Sequence, residues 1–187
     1  MLEFIIQKDK DLLCFLNSWG SSSADSLWLL ITNQWTSLPL YFLLLYFCIK
    51  YLHWKKTLFV LLCVGLLIAT TDQVANVFKY GFERLRPCHD ETLAGQMRYV
   101  ICGGKYGFFS AHAANTMALT VFFTLLLKKH LKYIGVLLVC WSVIVSYSRI
   151  YLGVHFPGDV IVGWCIGSLF AVLYYRLWLM IAAKING

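Results

Sequence analysis

His155 and Asp159 lie four residues apart, one helical turn, so an imidazole and a carboxylate can share one face. A carboxylate in that position fixes the ring tautomer and stabilises the charge that the ring gains as a nucleophile. A second histidine, His112, opens another apolar run and suits a general acid that protonates a leaving oxygen. Lys79, Arg86 and Arg149 suit a multiply charged phosphate, Arg through its planar fork of donors and Lys as a point charge. Ser110 suits a helix N-cap, and the free N–H groups of the turn behind it form an anion site. Phosphoryl transfer is catalysed mainly by positioning and charge stabilisation, which this set supplies without metal. No metal and no other cofactor is expected.

These groups are far apart in sequence, so the elements between them must bring them together. The chain has 187 residues, 60% of them hydrophobic and 13% charged. Its mean hydropathy is +0.70. A soluble fold of this size has too little interior for so much apolar surface, which excludes an ordinary soluble enzyme and a disordered chain. The composition fits an all-α polytopic membrane bundle, a single domain over residues 1–187. Five stretches are long enough to span: Ser26 to Phe47, Thr57 to Tyr80, Ser110 to Leu127, Tyr133 to Tyr151 and Pro157 to Ala182. Met1 to Trp19 mixes charges with Phe4, Ile5, Leu12 and Phe15 and reads as an amphipathic helix on the membrane surface. That helix and its linker take residues 1–25, and the bundle takes 26–187.

The net charge is +7. Lys50, Lys55 and Lys56, and then Lys128, Lys129 and Lys132, cluster in the links after the first and third spans and place those links in the cytoplasm. No basic run is long enough for a nucleic-acid arm, so nucleic acid is excluded as a partner. The links from Gly81 to Phe109 and from Gly153 to Phe156 then face outward. With that orientation, Lys79, Arg86, Ser110, His112, Arg149, His155 and Asp159 all fall at one depth on the outer side. Ionisable groups at membrane depth are costly and mark function.

The same residues form a pattern that resembles the type 2 phosphatidic acid phosphatase superfamily, in its membrane lipid phosphatase branch. Lys79, Arg86 and Pro87 match the first motif, K-x6-R-P. Ser148, Arg149, His155 and Asp159 match the third, S-R-x5-H-x3-D. The second motif, P-S-G-H, reads Phe109-Ser110-Ala111-His112, which keeps Ser and His and replaces Pro and Gly. Ala111 adds a methyl group where glycine would let an anion approach most freely. The resemblance implies that His155 attacks phosphorus to form a phosphohistidine, with Asp159 in support and His112 as general acid. It also implies that Lys79, Arg86, Ser110 and Arg149 hold the phosphate and that no metal takes part. The implied substrate is a lipid phosphomonoester or pyrophosphate amid membrane lipids, with the site on the periplasmic face of a bacterial inner membrane. Undecaprenyl pyrophosphate and phosphatidylglycerol phosphate are favoured by the small size of the chain; phosphatidic acid and lipid A phosphate remain open. Some relatives carry a further span before the surface helix, which this chain is expected to lack. Two other readings stay open: a phosphotransferase using the same site, and a transporter whose anion site is not catalytic.

Other polar residues read more plainly. Asp72 and Asn76 suit supporting or packing roles, and Glu83 and Arg84 suit solvated loop charges. Arg149 and Asp159 could also form a structural ion pair. Cys88 and Cys102 share the outer loop and can pair if that side is oxidising. Closing a loop of about 15 residues would add roughly 3 kcal/mol on chain-entropy grounds. The spacing of Cys88, His89, Cys102 and His112 matches no zinc pattern.

Overall fold

The computed structural model describes residues 1–184. Seven α-helices account for most of them: α1 (Leu2–Asn17), α2 (Asp25–Thr32), α3 (38–52), α4 (54–82), α5 (Ala111–Leu127), α6 (Ile134–Tyr151) and α7 (Pro157–Lys184). Among the described residues there is no strand, only an isolated antiparallel bridge between Leu85 and Tyr106. The all-α bundle expected from composition is therefore the fold.

α5, α6 and α7 lie within two residues of the expected third, fourth and fifth spans. α4 contains the expected second span, Thr57 to Tyr80, but the first span differs. The expected run from Ser26 to Phe47 is broken, because Asn33 leaves the helix and its side chain accepts the Trp35 N–H at 3.0 Å. An Asn side chain that captures a backbone donor competes with the helix in this way. Pro39 then sits in the first turn of α3, where its missing N–H costs nothing. The continuous run Leu38–Phe82 turns at His53, which has left-handed φ 65°. The chain reverses there. Tyr41, Leu45 and Cys48 of α3 share one groove with Ile68, Val64 and Val60 of α4, the pairing of an antiparallel hairpin.

α7 packs along α5, and α5 against α6. Small residues permit the closest approach: a Cβ on Gly163 would lie 2.7 Å from the Ser110 carbonyl oxygen, and one on Gly167 2.1 Å from that of Ala114. Close backbone packing of this kind replaces the hydrophobic drive that lipid does not supply. Phe122, Leu127, Leu138 and Leu67 fill the core at the far end, while Leu61, Leu62, Val143 and Leu169 stay exposed.

α1 buries little of itself: Leu13 and Asn17 are the buried positions. Asn17 nevertheless fixes the helix. Its Nδ2 donates to the carbonyls of Ile150 (3.1 Å) and Tyr151 (3.0 Å), and its Oδ1 accepts from the Arg98 N–H at 2.8 Å. Those carbonyls belong to the last turn of α6, where that of Ile150 also accepts the Gly153 N–H at 3.1 Å.

Candidate active site

Four helix ends and two loops meet at one end of the bundle. The last turns of α4 carry Lys79, the first turn of α5 carries His112, the last turn of α6 carries Arg149, and His155 precedes α7. The hairpin at His53 and the Lys128–Lys132 turn occupy the opposite end. Lys79, Arg86, His112, Arg149 and His155 line one cavity of about 480 Å³. Asp72, Asn115 and Thr116 extend that lining down α4 and α5.

Arg86 is placed by backbone pairing. Its N–H donates to the Lys105 carbonyl at 3.0 Å, the Gly107 N–H donates to the Arg84 carbonyl at 2.9 Å, and the Leu85–Tyr106 bridge lies between. Gly107 leaves room for the arginine stem, since a Cβ there would lie 2.8 Å from Arg86 Cγ. Nε of Arg86 donates to the Tyr106 carbonyl at 3.2 Å. Burial works against the Arg86 charge. Arg149 is 7% exposed and donates through one terminal nitrogen to the Thr32 hydroxyl, while its Nε has no partner. Three cations face a single cavity carboxylate, that of Asp72, whose Oδ1 accepts from Asn115 Nδ2 at 2.9 Å. Asn115 in turn accepts from the Thr71 hydroxyl. The cavity is thus cationic and suited to an anion with several charges.

Ser110 is the N-cap of α5, with its side chain accepting from the Ala113 N–H at 3.4 Å. It is fully buried and does not line the cavity. Its own N–H donates to the Asp159 carbonyl at 3.0 Å, which ties the start of α5 to the start of α7. Gly153, at φ 77° and hard against the Arg98 carbonyl, makes the turn from Arg149 to His155 that a side chain would block.

His155 is 2% exposed. Its Nδ1 lies 3.5 Å from Asp159 Oδ2, and it makes no well-directed hydrogen bond. The same Oδ2 accepts the Phe156 N–H at 3.0 Å, a side chain reaching back over the first turn of α7. Asp159 therefore does not pair with Arg149. Its Oδ1 accepts from Arg84 at 2.7 Å, which corrects the reading of Arg84 as a solvated charge. Arg84 is drawn inward because a fully buried carboxylate requires a partner. Glu83 stays exposed, in the left-handed conformation that ends α4. Asn76 is also exposed and lies outside the cavity.

Burial draws the His155 ring down to about 4, against the opposing pull of Asp159. The ring is then neutral at pH 7, the form with a free lone pair. We expect the acid limb of kcat/KM, corrected for ionisation of the substrate, to fall near pH 4. A limb near 6.5 in a pH–rate profile would contradict this placement. The sign for stability is the same. An unfolded chain binds this proton below about 6.5, so folding stability drops as pH falls from there toward 4.

Sequence reasoning missed Arg84, Thr32 and the wall formed by Ile31, Asn33, Gln34, Trp35 and Ser37. No motif carries these residues; the break at Asn33 turns them toward the cavity. Cys88 and Cys102 are joined in a disulfide, as their shared loop allowed. His89 lies beside them, but both sulfurs are committed to each other, so the group offers no thiolate for a metal.

Known proteins resemble this chain in sequence and in fold. The sequence profile of the PAP2 superfamily matches residues 56–182. A lipid A 4'-phosphatase of Bacteroides thetaiotaomicron is 33% identical over 190 residues, covering 100% of this chain and 84% of the relative. A lipid A 4'-phosphatase of Porphyromonas gingivalis is 32% identical, covering 95% of this chain and 76% of the relative. The crystal structure of a transmembrane PAP2-type phosphatidylglycerolphosphate phosphatase from Bacillus subtilis superposes with a TM-score of 0.73 at 23% identity, covering 92% of this chain and 85% of that one.

Proposed function

This chain belongs to the PAP2 superfamily and is an integral membrane lipid phosphatase, and on that premise we propose that it removes a phosphate from the sugar head group of a lipid, with lipid A phosphate as its substrate. The observation that carries the reading is the convergence of three cations and two histidines on one cavity. The lysine and the two arginines would hold the phosphate. His155, with Nδ1 turned toward Asp159, would attack phosphorus through Nε2. The bond from phosphorus to the ester oxygen breaks as His112 gives that oxygen its proton. Water then attacks the phosphohistidine, His112 takes back a proton, and inorganic phosphate leaves.

Two features favour a sugar-bearing lipid over the undecaprenyl and glycerol phosphates. The relatives matched across most of their length carry the lipid A name. Next to the cation cluster the wall turns polar at Asn33, Gln34 and Ser37, as sugar hydroxyls require, and then apolar at Leu38, Tyr41 and Ile68. The outward-facing placement of the site is supported by the disulfide in the Arg86 loop, since such bonds persist on oxidising sides of membranes. The basic turns at the other end of the bundle support it too.

The test is phosphate release from purified lipids in detergent: lipid A, undecaprenyl pyrophosphate, phosphatidylglycerol phosphate and phosphatidic acid. Lipid A is expected to give the highest kcat/KM; a higher value on any of the others would overturn the substrate assignment. EDTA is expected to leave the rate unchanged. Loss in EDTA with recovery on adding a divalent ion would overturn the metal-free mechanism.

A further inference from the structure

We propose that Arg84 and Asp9 form a clamp that orients the Asp159 carboxylate, which makes both of them positioning residues and makes the N-terminal helix part of the active-site framework. The inference rests on the role given above to His155.

A carboxylate beside a nucleophilic histidine must present one oxygen to the ring and hold the other elsewhere. Oδ2 of Asp159 faces His155 and the Phe156 N–H. Oδ1 is held by Arg84 at 2.7 Å, in a side chain with no exposure. Arg84 is itself restrained on two sides. Its other terminal nitrogen donates to Asp9 Oδ2 at 2.6 Å, and its guanidinium stacks 4.1 Å from the centre of the Phe156 ring. Asp9 closes the circuit, because its Oδ1 accepts the Gly158 N–H at 2.7 Å. Gly158 makes that approach possible: a Cβ there would lie 2.7 Å from Asp9 Oδ2. The loop of contacts thus leaves α7 at Asp159 and returns to α7 at Gly158, one residue earlier.

An exposed pair of this type would contribute little. Here the carboxylate at the centre is fully buried, and the planar guanidinium bridges two acids at once, which a lysine could not do with the same geometry. Asp9, Arg84 and Asp159 together carry one net negative charge beside the ring. That charge favours the cationic imidazole formed when His155 is bonded to phosphorus. Arg84 does not line the phosphate cavity, so its contribution is to the orientation of the nucleophile.

The experiment compares Arg84→Ala, Arg84→Lys, Asp9→Asn and His155→Ala in steady-state phosphate release. Arg84→Ala is expected to lower kcat about 10- to 100-fold, the range seen when partners behind a ligating histidine are removed, with KM within twofold. Arg84→Lys should lie between it and the parent. Millimolar guanidinium chloride should restore part of the kcat of Arg84→Ala and none of that of His155→Ala, while potassium chloride at equal ionic strength restores neither. Should Arg84→Ala fail to fold, the isosteric Asp9→Asn carries the test, with kcat expected to fall about 10-fold at constant KM. Parental kcat in a folded Arg84→Ala or Asp9→Asn, with His155→Ala inactive, overturns the clamp alone. A loss expressed in KM, or no response to guanidinium, also overturns it. Parental turnover by His155→Ala overturns the nucleophile and the clamp with it.

Discussion

His155→Ala should abolish phosphate release, by about 10⁴-fold or more, the scale on which catalytic nucleophiles are lost. The cations proposed to hold the phosphate are untouched by this change, so the lipid should still bind. The fold should also survive. Asp159 keeps the Phe156 N–H and Arg84, and the histidine makes no well-directed hydrogen bond through Nδ1 that its neighbours would miss. The measurement is phosphate release together with a melting curve in the same detergent. Inactive, normally melting protein supports the nucleophile assignment. Release near the parent rate would leave a cationic lipid site whose histidine is not chemical, as in a transporter. Phosphotransfer shares the phosphohistidine step, and product analysis with a labelled lipid separates it from hydrolysis by showing whether a second lipid or water receives the phosphate.

Gly167→Ala should be the most damaging conservative change far from the chemistry. The new methyl carbon would sit 2.1 Å from the Ala114 carbonyl oxygen, and backbone cannot swing aside as a side chain can. α5 and α7 must part, at a cost on the order of 3 kcal/mol for overpacking of this severity. Their separation also moves His112, on α5, away from His155, at the head of α7. A displacement near 1 Å at reacting groups costs about 10²-fold in rate. Gly65→Ala is the control, since a Cβ there meets nothing within 4 Å, and both melting temperature and rate should hold. If Gly167→Ala melts and turns over like the parent, the close α5–α7 contact is not what sets the spacing of the two histidines.

Much of the site was legible because its residues are unusual for their surroundings. Lys79, Arg86, His112, Arg149 and His155 interrupt or border apolar runs, and the structure gathers all five around one cavity. The helices after Ser110 were equally legible, because continuous apolar stretches bounded by Ser110, the Lys128–Lys132 cluster and Pro157 leave few other ways to divide the chain. The first span was not. A periodicity of apolar residues says nothing about Asn33 taking a backbone donor, whereas the reversal at His53 falls inside the basic link between the first two expected spans. Arg84 was misread for a different reason. In sequence it is one of several loop charges, and what makes it structural is a pair of acids 75 residues to either side. Long-range polar pairing of this kind leaves no local signature. The Asp72–Asn115–Thr71 network is hidden in the same way, since Asn115 belongs to a different helix from its partners.

The bond between Asp9 and the Gly158 N–H spans 149 positions of the chain. α1 can meet Arg84 and Asp90 once the loop after α4 is in place, whereas the Gly158 N–H reaches Asp9 only when α7 has joined the bundle. Asp9 is thus received by two surfaces, Arg84 in the loop after α4 and Gly158 at the start of α7. The carboxylate of Asp159 is therefore held on both sides only after α7 has met α1 and the loop after α4, which makes its placement a late product of assembly.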